Sequence, residues 1–597
     1  MQLGKTGAVA VAAALTVGFL TTSSFGATIE IEPADDPGVG FNDPAVVPPV
    51  GGNMETTRGA QALAAFKAAA DIWGAALDSV VPITVAARFG PLECSATTGV
   101  VGSGTPHSFV KDSNGATPGV WYPIALANRL AGVDLAPAAP DIDAVFNGAA
   151  GTPGCLEGSG WYLGLDRNAG NQTDLVTAVV HELAHGLGMT TLVDLDTGAM
   201  HEGFPDVFSL SIVDERTGSH WPTLTDSARA QSARAFHQLS WDGSNVSSAA
   251  TALLLHGMPA LALGAPLDTL DPPFALATFG PALTTTPVTG ALSAVVDGTA
   301  PTGDACEAPA SLAGRVALIE AGGCSDVTKV LSVQGAGAVA AILVSDKTTF
   351  MPLAPTGDDG GKATIPSIRI SQRDAASLRG ALAQAPSAKL WVNPARLLGT
   401  SVAGRLYLDA TDPVQSHVSV THWDPMISPH LLMQPTLLTT KDLDVTVPLM
   451  HDIGWRPYRC GDGIVEGTEE CDNGPDAGAS PSCTADCKRI GGSSSGSGGT
   501  SSVLDASLPD SSIDASRDAV PGNVGSSSDA PPGPNHYIDA GPQVPTSSGG
   551  IVWAPRSQGC DCRVGGRGGS GAGAIGGAAL GVAVLLRRRR AQRRARV

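Results

Sequence analysis

Apolar residues recur at helical spacing from Thr56 to Leu77, where Ala62, Leu63, Phe66, Ala69, Ala70, Trp73 and Leu77 form one stripe. The pattern changes to alternation in Val81-Pro-Ile-Thr-Val-Ala-Ala-Arg-Phe89, which predicts a strand. Asp174 to Gly188 reads as a helix running into glycines, anchored by Val179, Val180 and Leu183. Leu224 to Leu239 is amphipathic at helical period, with Thr225 or Asp226 as N-cap. Residues 28–55 are rich in Pro and Gly and read as extended. Helix, strands and a second helix together predict an α/β or α+β arrangement.

A different texture runs from 263 to 396. Gly314–Glu320, Ala338–Val344 and Ile365–Ile370 read as strands, and Asp326–Gln334 and Asp374–Ala383 as helices. That alternation predicts a self-contained α/β insert. Residues 397–458 then resume the first unit, which begins at 28 and breaks at 262. Four cysteines crowd residues 459–489 and predict a disulfide-rich module. Residues 490–558 are Ser, Gly, Asp and Pro with few aliphatics, a composition that cannot bury a core and predicts a disordered linker. In the tail, 559–597, an apolar run from Gly568 to Leu586 precedes Arg587–Arg590. It is just long enough for a C-terminal apolar helix that spans a bilayer.

A chain of 597 residues exceeds what one core supports. A net charge of −20 argues against nucleic acid as a partner. The charge is uneven: residues 560–597 hold nine arginines against one aspartate, so membrane contact is expected only through the tail. At the other end, Lys5, an apolar run from Ala8 to Leu20 and small residues up to Ala27 predict a signal peptide over 1–27. Export permits disulfides, and the ten cysteines group by region as two, two, four and two, which predicts pairs closed within each module. Oligomeric state is not legible. The many aspartates leave structural Ca2+ open, but no loop spells an EF-hand.

The chemistry concentrates in His181-Glu182-Leu183-Ala184-His185. Histidines at i and i+4 share one helix face and can reach one ion, and neutral imidazoles suit Zn2+. Glu182 is then placed as general base on a metal-bound water. A catalytic zinc needs a third protein ligand. His422, His417, Glu202 and Asp206 are the candidates, with Gly203 and Pro205 spoiling a helix around the two acids. Histidines 201, 220, 237, 256, 430 and 451 read as surface or structural.

Two resemblances sharpen this reading. Ile319-Glu-Ala-Gly-Gly-Cys324, Lys329-Val, Gln334-Gly-Ala-Gly-Ala338 and Ile365-Pro-Ser-Ile368 resemble the protease-associated domain, which implies an interaction or substrate-gating insert without an active site of its own. The helix pattern HExxHxxG, matched through Gly188, resembles metzincin peptidases, but Thr191 stands where their third histidine falls. His422-Trp423, Leu432-Met433 and Asp452-Ile-Gly454 follow in the order of leishmanolysin-like metzincins, in which a long insertion precedes the third ligand. That resemblance implies a metzincin-like catalytic domain interrupted by the insert. It implies zinc on His181, His185 and His422, a Met-turn at Met433, and endopeptidase action on protein or peptide substrates. The end of the chain resembles the MYXO-CTERM sorting tail, implying processing near Cys560 or Cys562 and delivery to the cell surface. The competing class is a non-catalytic surface adhesin that displays the insert and the Cys-rich module.

Overall fold

The computed structural model describes residues 26–347, 352–437 and 442–455, together with the backbone of three short strands at 544–545, 551–553 and 560–565. The expected Cys-rich module, the apolar run from Gly568 and most of the signal peptide lie outside the described residues. Among the described residues no helix is long and apolar enough to cross a membrane.

A five-stranded sheet organises the first unit. Its order is Ile29–Pro33, Ile83–Gly90, Ile142–Asn147, Thr98–Pro106 and Cys560–Gly565. The first three strands are parallel; Thr98–Pro106 and Cys560–Gly565 join antiparallel. The extended stretch at 28–55 thus supplies a strand of the sheet. Val544–Pro545 and Ile551–Trp553, inside the stretch expected to be a disordered linker, also pair as strands, the latter on Phe109–Lys111.

The apolar stripe after Thr56 forms the helix Arg58–Gly74, whose N-cap Thr57 accepts from the Ala60 amide. Its buried face places Phe66 edge-on to Phe41 and Phe146, at centroid distances of 4.7 and 4.8 Å. The helix Leu175–Leu187 lies against this first helix and is buried along its whole length. Indole donors tie it down at two levels: Trp73 Nε1 to the Val180 carbonyl and Trp455 Nε1 to the Leu187 carbonyl.

One expected element is corrected. The helix predicted from Leu224 to Leu239 spans only Asp226–Ser232, capped by Thr225. His237 adopts φ 52°, and Leu239–Trp241 becomes a strand between Ile212–Asp214 and Leu406–Tyr407. Tertiary pairing overrides the helical period there. This sheet matters because Leu406–Tyr407 comes from beyond the insert. One apolar core accordingly draws residues from both sides of it, from Phe66 and Leu183 to Trp423 and Met450.

The insert is built on a seven-stranded sheet with a parallel centre, Val288–Ala294, Arg315–Ile319, Ala340–Val344 and Ser367–Ile370. Alternate residues of these strands face opposite sides. Val316, Leu318, Ile342 and Ile368 enter one apolar cluster, while Ala317, Ile319, Ala341 and Leu343 enter another. A sheet covered on both faces explains the nearly continuous apolar runs in the sequence. Its outer strand His256–Leu263 pairs with Ser387–Leu397, so the sheet starts ahead of the expected boundary at 263. Disulfides Cys94–Cys155 and Cys306–Cys324 close within their own units, as expected.

Candidate metal centre

Asp174 caps the Leu175–Leu187 helix by accepting from the Thr177 amide, which starts the helix so that His181, Glu182 and His185 fall in its last turns. The helix stops at Gly188, whose φ of 138° a side-chain-bearing residue rarely adopts. A Cβ there would also lie 2.7 Å from Ile453 Cδ1. The turn that follows brings the Met189 carbonyl onto His185 Nδ1 at 2.8 Å.

His422 arrives from the segment after the insert. Its carbonyl accepts from the Asp409 amide at 2.8 Å, and the Val420 amide bonds the Asp409 carbonyl at 2.7 Å. These bonds hang the His422 segment on the stretch next to Leu406–Tyr407. All three imidazoles are fully buried. His181 Nε2 stands 3.2 Å from His422 Nε2 and 3.3 Å from His185 Nε2. Each Nδ1 meets a main-chain carbonyl: Leu432 for His181, Met189 for His185 and Val418 for His422. A carbonyl can only accept, so each Nδ1 carries the proton and each Nε2 presents a lone pair. Three lone pairs converging in a dry pocket repel one another unless a cation lies between them.

The charge state agrees. Burial pushes the His181 imidazole down to about 4 and that of His422 to about 3, and holds His185 well below its ordinary value. Neutral imidazole is the form that binds metal. Among the described residues these three histidines form one of two groups able to hold a metal ion.

Of the rival ligands, Asp206 is engaged elsewhere: its carboxylate accepts from the Thr191 hydroxyl and the amides of Leu192 and Ser209. Thr191 is thereby turned to a structural role. Glu202 and His417 lie outside the triad. Glu202 sits on an exposed turn. Met433 is fully buried, and its carbonyl accepts from the Trp423 amide at 2.8 Å.

Sequence reasoning missed the floor of the site. Glu182 packs on Gly102 and Gly104 of the strand Thr98–Pro106. A Cβ on Gly104 would lie 2.0 Å from the Glu182 carbonyl oxygen, and one on Gly102 would lie 2.9 Å from Glu182 Cγ. Glycines inside a strand mark such close approach, and the run Gly102-Ser-Gly104 carried that signal.

No curated protein matches the chain. Solved structures similar to part of it include a zinc aminopeptidase, BSAP, from Bacillus subtilis, at 23% identity over 25% of this chain and 36% of that one, with TM-score 0.18. An aminopeptidase from Aneurinibacillus sp. strain AM-1 is 19% identical over 32% of this chain and 42% of that one, TM-score 0.17. The subtilisin-like protease Apa1 from Pseudoalteromonas sp. AS-11 is 16% identical over 24% and 34%, TM-score 0.17. The chain therefore spans well under half the length of these structures. Residues 288–378 match the family model for the PA domain, so the insert expected from the sequence contains a PA domain.

Proposed function

We propose that this chain is a zinc-dependent endopeptidase of the leishmanolysin-like metzincin kind, with His181, His185 and His422 as ligands and Glu182 as general base. The observation that carries the reading is the convergence of three Nε2 lone pairs, each fixed by an Nδ1–carbonyl bond, beside a glutamate on the same helix. Zinc fits this donor set. Ligands about 2.0–2.1 Å from a tetrahedral zinc stand roughly 3.3 Å apart, and the Nε2 separations here are 3.2 and 3.3 Å. Carbonyl-bonded Nδ1 atoms are also the usual outer support of zinc-bound histidine.

When bound, zinc supplies Lewis acidity, polarising a carbonyl and lowering the pKa of a water. The residues of this chain do the rest. The three imidazoles stay neutral and oriented. Glu182 accepts a proton on its carboxylate and returns it to the departing amine. Gly102 and Gly104 let the strand approach the helix closely enough to back that carboxylate. Protein or peptide substrates follow from this chemistry, and the PA domain serves as an interaction or gating element. Export and surface delivery belong to the same proposal; they rest on sequence features outside the described residues.

The test is zinc content and casein cleavage of the full chain beside Glu182→Ala. The variant should keep one zinc equivalent and lose about 10²–10⁴-fold in rate. A variant that holds zinc and still cleaves at the parent rate refutes the assignment of the base.

A further inference from the structure

We infer that the 297–307 loop of the insert binds a calcium ion through Asp297, Asp304 and Glu307. Each of these offers a carboxylate oxygen, and the three oxygens lie within 4.8 Å of one another. Two of the three side chains are withdrawn from water: Asp297 is 6% and Asp304 2% exposed.

The decisive atom is Asp297 Oδ1. Its partner oxygen, Oδ2, accepts from the Ala305 amide at 2.9 Å. Oδ1 is buried and has no hydrogen-bond partner among the described residues. A buried carboxylate oxygen facing no donor is costly, and a cation removes that cost. Asp304 is held by the amides of Cys306 and Gly323, at 3.1 and 3.3 Å, and each of its oxygens keeps a further lone pair. Glu307 closes the group from the exposed side.

The loop is fixed in advance. The Cys306–Cys324 disulfide anchors it beside Asp304. Ala305 takes φ 59°, which turns the chain between the two later ligands. Preorganised ligands bind with less ordering cost. The nearby cation sits close enough for its charge to favour Asp304 and Asp297, but its hydrogen bonds go elsewhere. Lys329 Nζ donates to the main-chain carbonyls of Asp304 and Glu320, each at 3.0 Å. Three carboxylates and one ammonium leave two net negative charges, matched to a divalent ion.

The donor set selects the ion. It is all oxygen, with no imidazole, and Cys306 is spent in its disulfide. Hard oxygen donors suit Ca2+, whose flexible six- to eight-fold shell carbonyls and water can complete. This site is independent of the histidine cluster and of the proposed peptidase activity.

The test uses the full chain, stripped with chelator, reloaded with zinc and titrated with CaCl2 alone. Calorimetry should show one equivalent bound with a dissociation constant of about 10⁻⁴–10⁻³ M, and Ca2+ should raise the thermal midpoint more than Mg2+ does. Asp297→Asn should abolish the response. Glu307→Gln alters an exposed side chain and keeps the proposal testable if the first variant misfolds; it should weaken binding about tenfold. Absence of binding, or an equal Ca2+ response in the parent and Glu307→Gln, overturns the site.

Discussion

The Nδ1 of His181 donates to the Leu432 carbonyl at 2.8 Å, across 251 residues of chain. An imidazole on the first half of the interrupted unit is therefore aimed by a turn in the second half. The next residue in that turn, Met433, accepts from the Trp423 amide, adjacent to His422. One turn thus holds both the ring from the helix and the segment bearing the distant ring. The long insertion does not loosen the site because neither half sets the tripod alone.

Removing the side chain that anchors this turn should loosen both connections. Met433 is fully buried in the shared core. Met433→Ala should cost about 2–5 kcal/mol of stability and weaken zinc binding about 10–100-fold, the range for loss of outer support around metal-bound histidine. Met433→Leu conserves volume and should cost under about 1.5 kcal/mol. Denaturant melts and zinc competition with a chelator measure the two effects. Parent-level zinc affinity in Met433→Ala would sink the coupling.

The two candidate histidines of the returning segment separate cleanly. His422→Ala removes an Nε2 that lies 3.2 Å from that of His181 and should abolish stoichiometric zinc and casein cleavage. His417→Ala changes a residue outside the triad and should retain both. Metal analysis of the purified variants decides, and zinc loss in His417→Ala alone would reverse the ligand assignment.

The sequence made the pairing of His181 and His185 legible because a period of 3.6 places them on one face whatever the rest of the chain does. His422 was one of several candidates on residue type alone, and the order of motifs after it singled it out. What stayed hidden was what depends on long-range pairing. The helix expected to reach Leu239 ends at Ser232, and the chain turns through His237 so that Leu239–Trp241 is captured by strands from 212–214 and 406–407. The carbonyls of Leu432, Met189 and Val418 that orient the rings have no side-chain signature at all. The insert was legible in texture, since strands buried on both faces read as continuous apolar runs, but its edge strand at His256 looked like part of the preceding unit.

Gly102 and Gly104 should fail in different ways. A Cβ on Gly104 meets the Glu182 carbonyl oxygen at 2.0 Å, and backbone cannot step aside. Gly104→Ala should cost about 1–3 kcal/mol of stability. On Gly102 the nearest atoms are Glu182 Cγ and Oε1, at 2.9 and 3.0 Å, with Phe146 Cε1 also at 3.0 Å, so side chains rather than backbone are displaced and the carboxylate is among them. Gly102→Ala should keep zinc and most of the stability while losing cleavage. If both variants lose stability equally and Gly102→Ala cleaves like the parent, these glycines do not back the base.

Asp141 gives the fold a pH dependence of defined sign. Burial pushes its carboxyl up to about 6, against the amide of Thr84 and the side chain of Asn128, which favour the charged form. From about pH 4 to pH 6 the folded chain holds this proton while the unfolded chain has released it. The native state then binds more protons, so stability from this group is fully present below that window and is lost as pH rises through it. The loss is on the order of 3 kcal/mol at most, since each pKa unit is worth about 1.4 kcal/mol. Asp141→Asn cannot titrate and should flatten the fall in melting temperature between pH 4 and pH 6. The amide also turns a donor toward either Thr84 or Asn128, which adds a cost that does not vary with pH. The informative quantity is therefore the parent-minus-variant difference, which should shrink as pH rises across the window. A difference that stays constant from pH 4 to pH 7 would mean that Asp141 is ionised throughout.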